Sequence, residues 1–187
     1  MKQNKLTRLI IISILGALSF ILMLIQFPLP FLPPFLTVDL SDIPAFIGFM
    51  LLGGAAGSLV IILKIVLFGL LMASEPVGPL ANMLAAFALL LPIYFVYMKY
   101  QSRKSLLIGF AAGTLSLTLM MAVLNYFILL PMYGLIIDHT DLIANIRTVV
   151  TAGIIPFNIV KGIIVSLVAY LIYIKLLPKL KNLYYDK

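Results

Sequence analysis

Apolar residues run almost unbroken over 6–27, 43–73, 80–98, 105–131 and 148–177, separated by polar or proline-rich connections. A helix needs roughly 20 apolar residues to cross a hydrocarbon core about 30 Å thick, so each run is a candidate membrane span. The second is interrupted by Gly53-Gly54-Ala55-Ala56-Gly57, and reads either as one long span or as two helices turning at the glycines. Ser41 or Asp42 can cap the first of the two, and Pro44 suits its first turn. From there to the glycines the rise is only about 15–18 Å, too short to cross unaided. The spans over 105–131 and 148–177 exceed the minimum and predict tilt or projection at one end.

Composition and charge choose between the readings. The chain is 64% hydrophobic and 10% charged, with mean hydropathy +1.21, which predicts one integral membrane domain over residues 1–187. There is no cysteine, hence no disulfide or thiolate site. Lys2, Lys5 and Arg8 precede the first run; Lys99, Arg103 and Lys104 lie mid-chain; Lys175, Lys179, Lys181 and Lys187 end it. Asp39, Asp42, Glu75, Asp138 and Asp141 lie in the other connections. If 43–73 crosses twice, all three basic clusters fall on one side, the cytoplasmic one by the positive-inside rule. The sequence therefore predicts an all-α, multi-pass cell-membrane protein: a six-transmembrane-helix bundle with both termini cytoplasmic. The same clustering accounts for the net charge of +7 without nucleic acid. The run 6–27 is long enough to span and lacks a small-residue cleavage site, which predicts a retained first helix rather than a signal peptide.

Polar groups inside apolar runs carry the functional signal. Asn158 and Lys161 are one helical turn apart, about 16 Å into the last span, with Pro156 freeing a backbone carbonyl just before them. A lysine at the centre of a span costs roughly 2.5–3.5 kcal/mol on insertion scales, so it is expected to face a cavity, partner or ligand. Interhelical hydrogen bonds average well under 1 kcal/mol, a weak motive for burying an ammonium. Asn125 lies on the order of 9 Å inside the outer end of the fifth span, a pocket group or a packing one. Asn82 opens the fourth span as a pocket group or a cap. With Thr37 and Asp39 these residues belong to the outer half, as an externally open pocket requires. Lys64 is expected to snorkel to the cytoplasmic interface, and Tyr94, Tyr97 and Tyr100 to form an aromatic belt there. His139, between Asp138 and Asp141, reads as a solvated loop residue rather than a metal ligand.

The first outer connection, Phe27-Pro28-Leu29-Pro30-Phe31-Leu32-Pro33-Pro34-Phe35-Leu36-Thr37-Val38-Asp39, is stiff and apolar, fit for a lid or for dipping into lipid. The turn Ser74-Glu75-Pro76-Val77-Gly78-Pro79 is similarly rigid and can bring backbone close to a ligand. Small residues recur at spacing four (Ser13 and Ala17, Gly53 and Gly57, Ala81 and Ala85, Gly109 and Gly113), which suits close helix contact. The first of these pairs is free to face another membrane protein.

Three segments carry a resemblance that covers essentially the whole chain: the proline-rich loop running into Leu36-Thr37-Val38-Asp39-Leu40-Ser41-Asp42, the turn Glu75-Pro76-Val77-Gly78-Pro79-Leu80-Ala81-Asn82, and Pro156-Phe157-Asn158-Ile159-Val160-Lys161. In these the sequence resembles the substrate-binding S components of energy-coupling factor (ECF) vitamin transporters, in particular the riboflavin-binding members. The resemblance implies a six-helix bundle holding one flavin near its outer face beneath the first loop. It also implies a complex with a membrane coupling protein and two cytoplasmic ATPases. Family members use Ala-x-x-x-Ala in the first helix against the coupling protein; here that place reads Ser13-Ile14-Leu15-Gly16-Ala17, with Ser departing from the pattern.

Side-chain chemistry agrees with a flavin. Its ring is flat and largely apolar with one edge of alternating donors and acceptors, which the amides of Asn125 and Asn158 can match. Lys161 offers three donors to carbonyl or hydroxyl oxygens. Phe31, Phe35 and Leu36 are candidates to cover the ring, and Thr37, Asp39 and the backbone at Gly78 and Pro79 to meet the ribityl chain. The expected substrate-binding set is thus Leu36, Thr37, Asp39, Gly78, Pro79, Asn82, Asn125, Asn158 and Lys161, with Ser13 and Ala17 for the partner. Riboflavin is cargo, so no cofactor or metal is expected. Another vitamin, or an autonomous carrier, is the alternative. An enzyme is disfavoured, because the spans hold no carboxylate pair, no histidine and no serine with a base. With no phosphate-binding glycine loop, any ATP-driven step requires another chain.

Overall fold

The structure is a computed structural model and describes residues 5–33, 35–72, 75–136 and 145–185. Helix α1 spans Lys5–Leu24. Strands β1 (Phe27–Pro28) and β2 (Thr37–Val38) pair antiparallel, Phe27 with Val38 and Pro28 with Thr37. This minimal ladder closes the proline-rich loop into a clip. Helices α2 (Asp42–Leu52), α3 (Gly54–Leu71) and α4 (Val77–Tyr100) follow. Helix α5 (Arg103–Leu124) continues through a π-helical segment, Asn125–Leu129, into α6 (Leu130–Ile136). The short α7 (Ile146–Thr148) leads through a second π-helical segment, Val149–Ile154, into α8 (Ile155–Lys175), and α9 spans Leu177–Tyr185.

Among the described residues, five helical stretches are long and apolar enough to cross a membrane: Lys5–Leu24, Gly54–Leu71, Val77–Tyr100, Arg103–Leu135 and Ile146–Lys175. The run 43–73 divides in two, as the charge argument requires. Gly53 makes the turn at φ 91°, ψ 175°, a region open to glycine almost alone. The two arms fold back until a Cβ on Gly48 would lie 3.2 Å from the Gly57 Cα. Helix α2 has only 11 residues, and ten of them are buried. It is walled in by α1, α3, α4 and α8. Neither Ser41 nor Asp42 caps it in the expected way: Ser41 takes the N-cap position in helical geometry without a side-chain cap bond.

Elsewhere the helices approach through small residues. Gly109 and Gly113 of α5 lie against Ile93 and Leu89 of α4, and Gly162 of α8 against Thr114 of α5. Tyr94 packs on Phe49, and Tyr97 is buried with its hydroxyl 3.2 Å from that of Tyr173. Those two rings are therefore bundle contacts; of the expected aromatic belt, Tyr100 alone is exposed. The Arg8 guanidinium reaches the Leu52 carbonyl at 3.2 Å, so the start of α1 and the Gly53 turn share one end of the bundle. The α4–α5 turn and the end of α8 lie at that end too, and the β1–β2 clip and the 75–79 turn at the other. The expectations for Pro34, Ser74, Asp138, His139 and Asp141 lie outside the described residues.

Candidate substrate cavity

A cavity of about 580 Å³ opens at the end of the bundle that carries the β1–β2 clip. That volume lies in the roughly 300–1,000 Å³ range of small-molecule sites. All nine residues expected from the sequence line it: Leu36, Thr37, Asp39, Gly78, Pro79, Asn82, Asn125, Asn158 and Lys161. Phe31 does not. It stands fully exposed at the tip of the clip with φ 67°, and Phe35 and Leu36 form the loop's apolar contribution instead.

The two asparagines arrive by matching devices. Proline lacks an N–H, and its ring crowds the carbonyl four residues back. Ahead of both Pro131 and Pro156 the helix widens: the Leu130 N–H bonds the Asn125 carbonyl and the Ile155 N–H bonds the Val150 carbonyl, each five residues back. Such π-bulges recur at functional sites. The two widened turns lie against each other across the cavity wall. Asn125 Nδ2 donates to the Met121 carbonyl and Asn158 Nδ2 to the Ile154 carbonyl, both at 2.8 Å. Each amide thereby commits one N–H and keeps an oxygen and a second N–H for a ligand.

At the mouth, Thr37 Oγ1 donates to Gln26 Oε1 at 3.2 Å, tying β2 to the end of α1. The Glu75 carboxylate accepts the Val77 and Gly78 backbone N–H groups at 2.5 and 2.8 Å, a favourable place for an anion at the start of α4. The Tyr133 hydroxyl donates to Glu75 at 3.4 Å. A Cβ on Gly78 would collide with Glu75, so glycine permits this turn. Asp39 is buried and accepts the Ser41 backbone N–H at 2.8 Å and Asn82 Nδ2 at 3.3 Å. Asn82 lies in the second turn of α4, not at its cap.

Beneath the cavity is a charged cluster that the sequence reading missed. Lys64 does not snorkel. It is 0% exposed, its Nζ donating to Ser41 Oγ and to Asp42 Oδ1 at 2.7 Å each. The reason is geometric: Gly53 folds α2 on α3, which brings positions 42 and 64 level. Ser19 of α1 donates to the Ser41 carbonyl. Lys161 Nζ stands 3.9 Å from Asp42 Oδ2. Gln26, Glu75 and Tyr133 also line the cavity without having been expected there. Gln26, a lone amide at the end of an apolar run, was the available signal. Tyr133 had none. Among the described residues no cluster of three or more metal-ligating side chains occurs. Ser13 and Ala17 are exposed on α1, opposite the face that buries Leu15 and Gly16.

Comparison with known proteins places this architecture. A sequence profile described as "ECF transporter, substrate-specific component" matches residues 7–173. The chain is 45% identical over 183 residues to "Riboflavin transporter RibU" of Staphylococcus aureus, covering 98% of this chain and 96% of that protein. It is 40% identical over 179 residues to "Riboflavin transporter FmnP" of Bacillus subtilis, covering 93% and 94%. A solved structure described as the S component of a bacterial ECF transporter superposes with TM-score 0.82 at 42% identity, over 95% of this chain and 99% of that one. With its cavity, its helical architecture and these full-length matches, the chain belongs to the substrate-specific components of ECF transporters.

Proposed function

We propose that this chain is the riboflavin-binding subunit of an ECF-type uptake transporter, a membrane protein and not an enzyme. The observation that carries the reading is the wall formed by Asn125, Asn158 and Lys161, three buried polar side chains converging on one otherwise apolar cavity. Amide donor–acceptor pairs beside an ammonium suit the polar edge of an isoalloxazine ring, and Leu36, Ala85, Leu130 and Phe157 supply apolar wall for its flat body. Thr37, Asp39, Asn82 and the Gly78–Pro79 backbone serve the ribityl hydroxyls. The full-length relatives named as riboflavin transporters point the same way.

The finer assignments rest on charge and exposure. Arg8, Lys99, Arg103, Lys104 and Lys175 gather at the end of the bundle opposite the cavity, which by the positive-inside rule is cytoplasmic. Short α2 counts as the sixth helix, both termini are cytoplasmic, and the cavity opens outward in the cell membrane. Ser13 and Ala17 offer a small-residue face to a membrane coupling protein, which two cytoplasmic ATPases drive. The test is to purify the protein from riboflavin-fed cells and identify its ligand by absorption spectrum and mass spectrometry. A co-purifying flavin supports the reading. A protein that carries no flavin and does not bind added riboflavin refutes it.

A further inference from the structure

The cavity explains Lys161 but not Asp42, which is 0% exposed and absent from the cavity lining. One oxygen of Asp42 is satisfied by Lys64 at 2.7 Å. The other, Oδ2, is buried without a hydrogen-bond partner among the described residues, yet has Lys161 Nζ 3.9 Å away. A contact that served only to hold helices together is expected to close to a hydrogen bond, because an unpartnered buried oxygen is costly. This one stops short. At 3.9 Å the carboxylate attracts the ammonium, while all three Nζ–H groups stay uncommitted to it.

We propose that Asp42 is a positioning residue for Lys161, its field from behind the cavity wall holding the ammonium toward the ligand. Lys64 and Ser41 complete the device. Lys64, itself held by Ser41 Oγ, occupies Oδ1 and neutralises Asp42 enough that it does not draw Lys161 into a closed pair and away from the cavity. Two acids, Asp39 and Asp42, then balance two bases, Lys64 and Lys161, all four buried. Paired charges are the form in which ionised groups are tolerated away from water. The Gly53 turn sets the arrangement by placing Asp42 and Lys64 side by side, and Ser19 of α1 steadies the Ser41 carbonyl.

This inference rests on riboflavin binding and is tested by a double-mutant cycle on the full-length protein. Riboflavin affinity is measured by quenching of flavin fluorescence, with thermal unfolding in parallel, for wild type, Asp42→Asn, Lys161→Met and the pair combined. Asp42→Asn alone is expected to weaken binding roughly tenfold or more, the scale of a misplaced charge-assisted hydrogen bond. In the Lys161→Met background it is expected to weaken binding less than about twofold, because the group it positions is gone. Asp42→Asn also strands Lys64, so Asp42→Asn/Lys64→Met, with and without Lys161→Met, runs beside it and carries the test if the single variant misfolds. That variant is expected to regain thermal stability without regaining affinity. Equal losses in both backgrounds, or recovery of affinity together with stability, would show that Asp42 only holds the hairpin and would overturn the proposal. Failure of the wild type to bind riboflavin would instead overturn the function proposed above.

Discussion

Replacing Lys161 with Met isolates the contribution of one ammonium, because the aliphatic stem is kept while the charge and three donors are removed. The side chain lines the cavity at 4% exposure on a helix turn shared with Asn158, so water cannot easily take its place. A hydrogen bond involving a charged group is worth about 1.5–3 kcal/mol, which predicts riboflavin binding weaker by roughly 10–150-fold. The fold is expected to suffer less. Removing one partner of a buried ion pair typically costs about 3–5 kcal/mol by leaving a charge uncompensated. Here Asp42 keeps its 2.7 Å ion pair with Lys64, so the loss should fall below that range. Titration of detergent-purified protein by flavin fluorescence quenching, with thermal unfolding of the ligand-free protein, measures both quantities. An unchanged dissociation constant would refute the assignment of Lys161 to the flavin. A large drop in unfolding temperature with unchanged affinity would make Lys161 a packing residue.

Ala17→Trp places a bulky ring on the exposed face of α1 and is expected to reduce riboflavin uptake in cells that hold the coupling module while leaving binding by the isolated subunit intact; equal loss of both would remove the partner role. Single cysteines at Phe31 and Lys104 report orientation, since Phe31 is fully exposed on the clip and Lys104 sits in the basic turn at the other end. Impermeant maleimide added to intact cells should label the first and spare the second, and the reverse pattern would invert the topology. Gly53→Ala forces a Cβ into φ 91°, ψ 175° and is expected to lower stability by about 1–3 kcal/mol, read as a lower unfolding temperature; an unchanged temperature would mean the turn relaxes freely.

Hydrophobic run length and the side of each basic cluster were enough to read a helical membrane bundle, and to split 43–73 at its glycines. Both signals are one-dimensional: a span is a length of apolar chain, and topology is an alternation of loop charge. The cost of burying Asn125, Asn158 and Lys161 is likewise a property of each residue in its run, and all three line the cavity. Lys64 shows where this reasoning stops. By position it lies near a turn and within reach of water, but the α2–α3 hairpin sets it against Asp42, a partner 22 positions away. Phe31 and Phe35 are alike in sequence, yet the pairing of Phe27 with Val38 and Pro28 with Thr37 leaves one in the open and the other on the cavity wall. Hydropathy says that a charge in a span needs a partner. Which charge it meets depends on distances between helices, and only the packed bundle sets those.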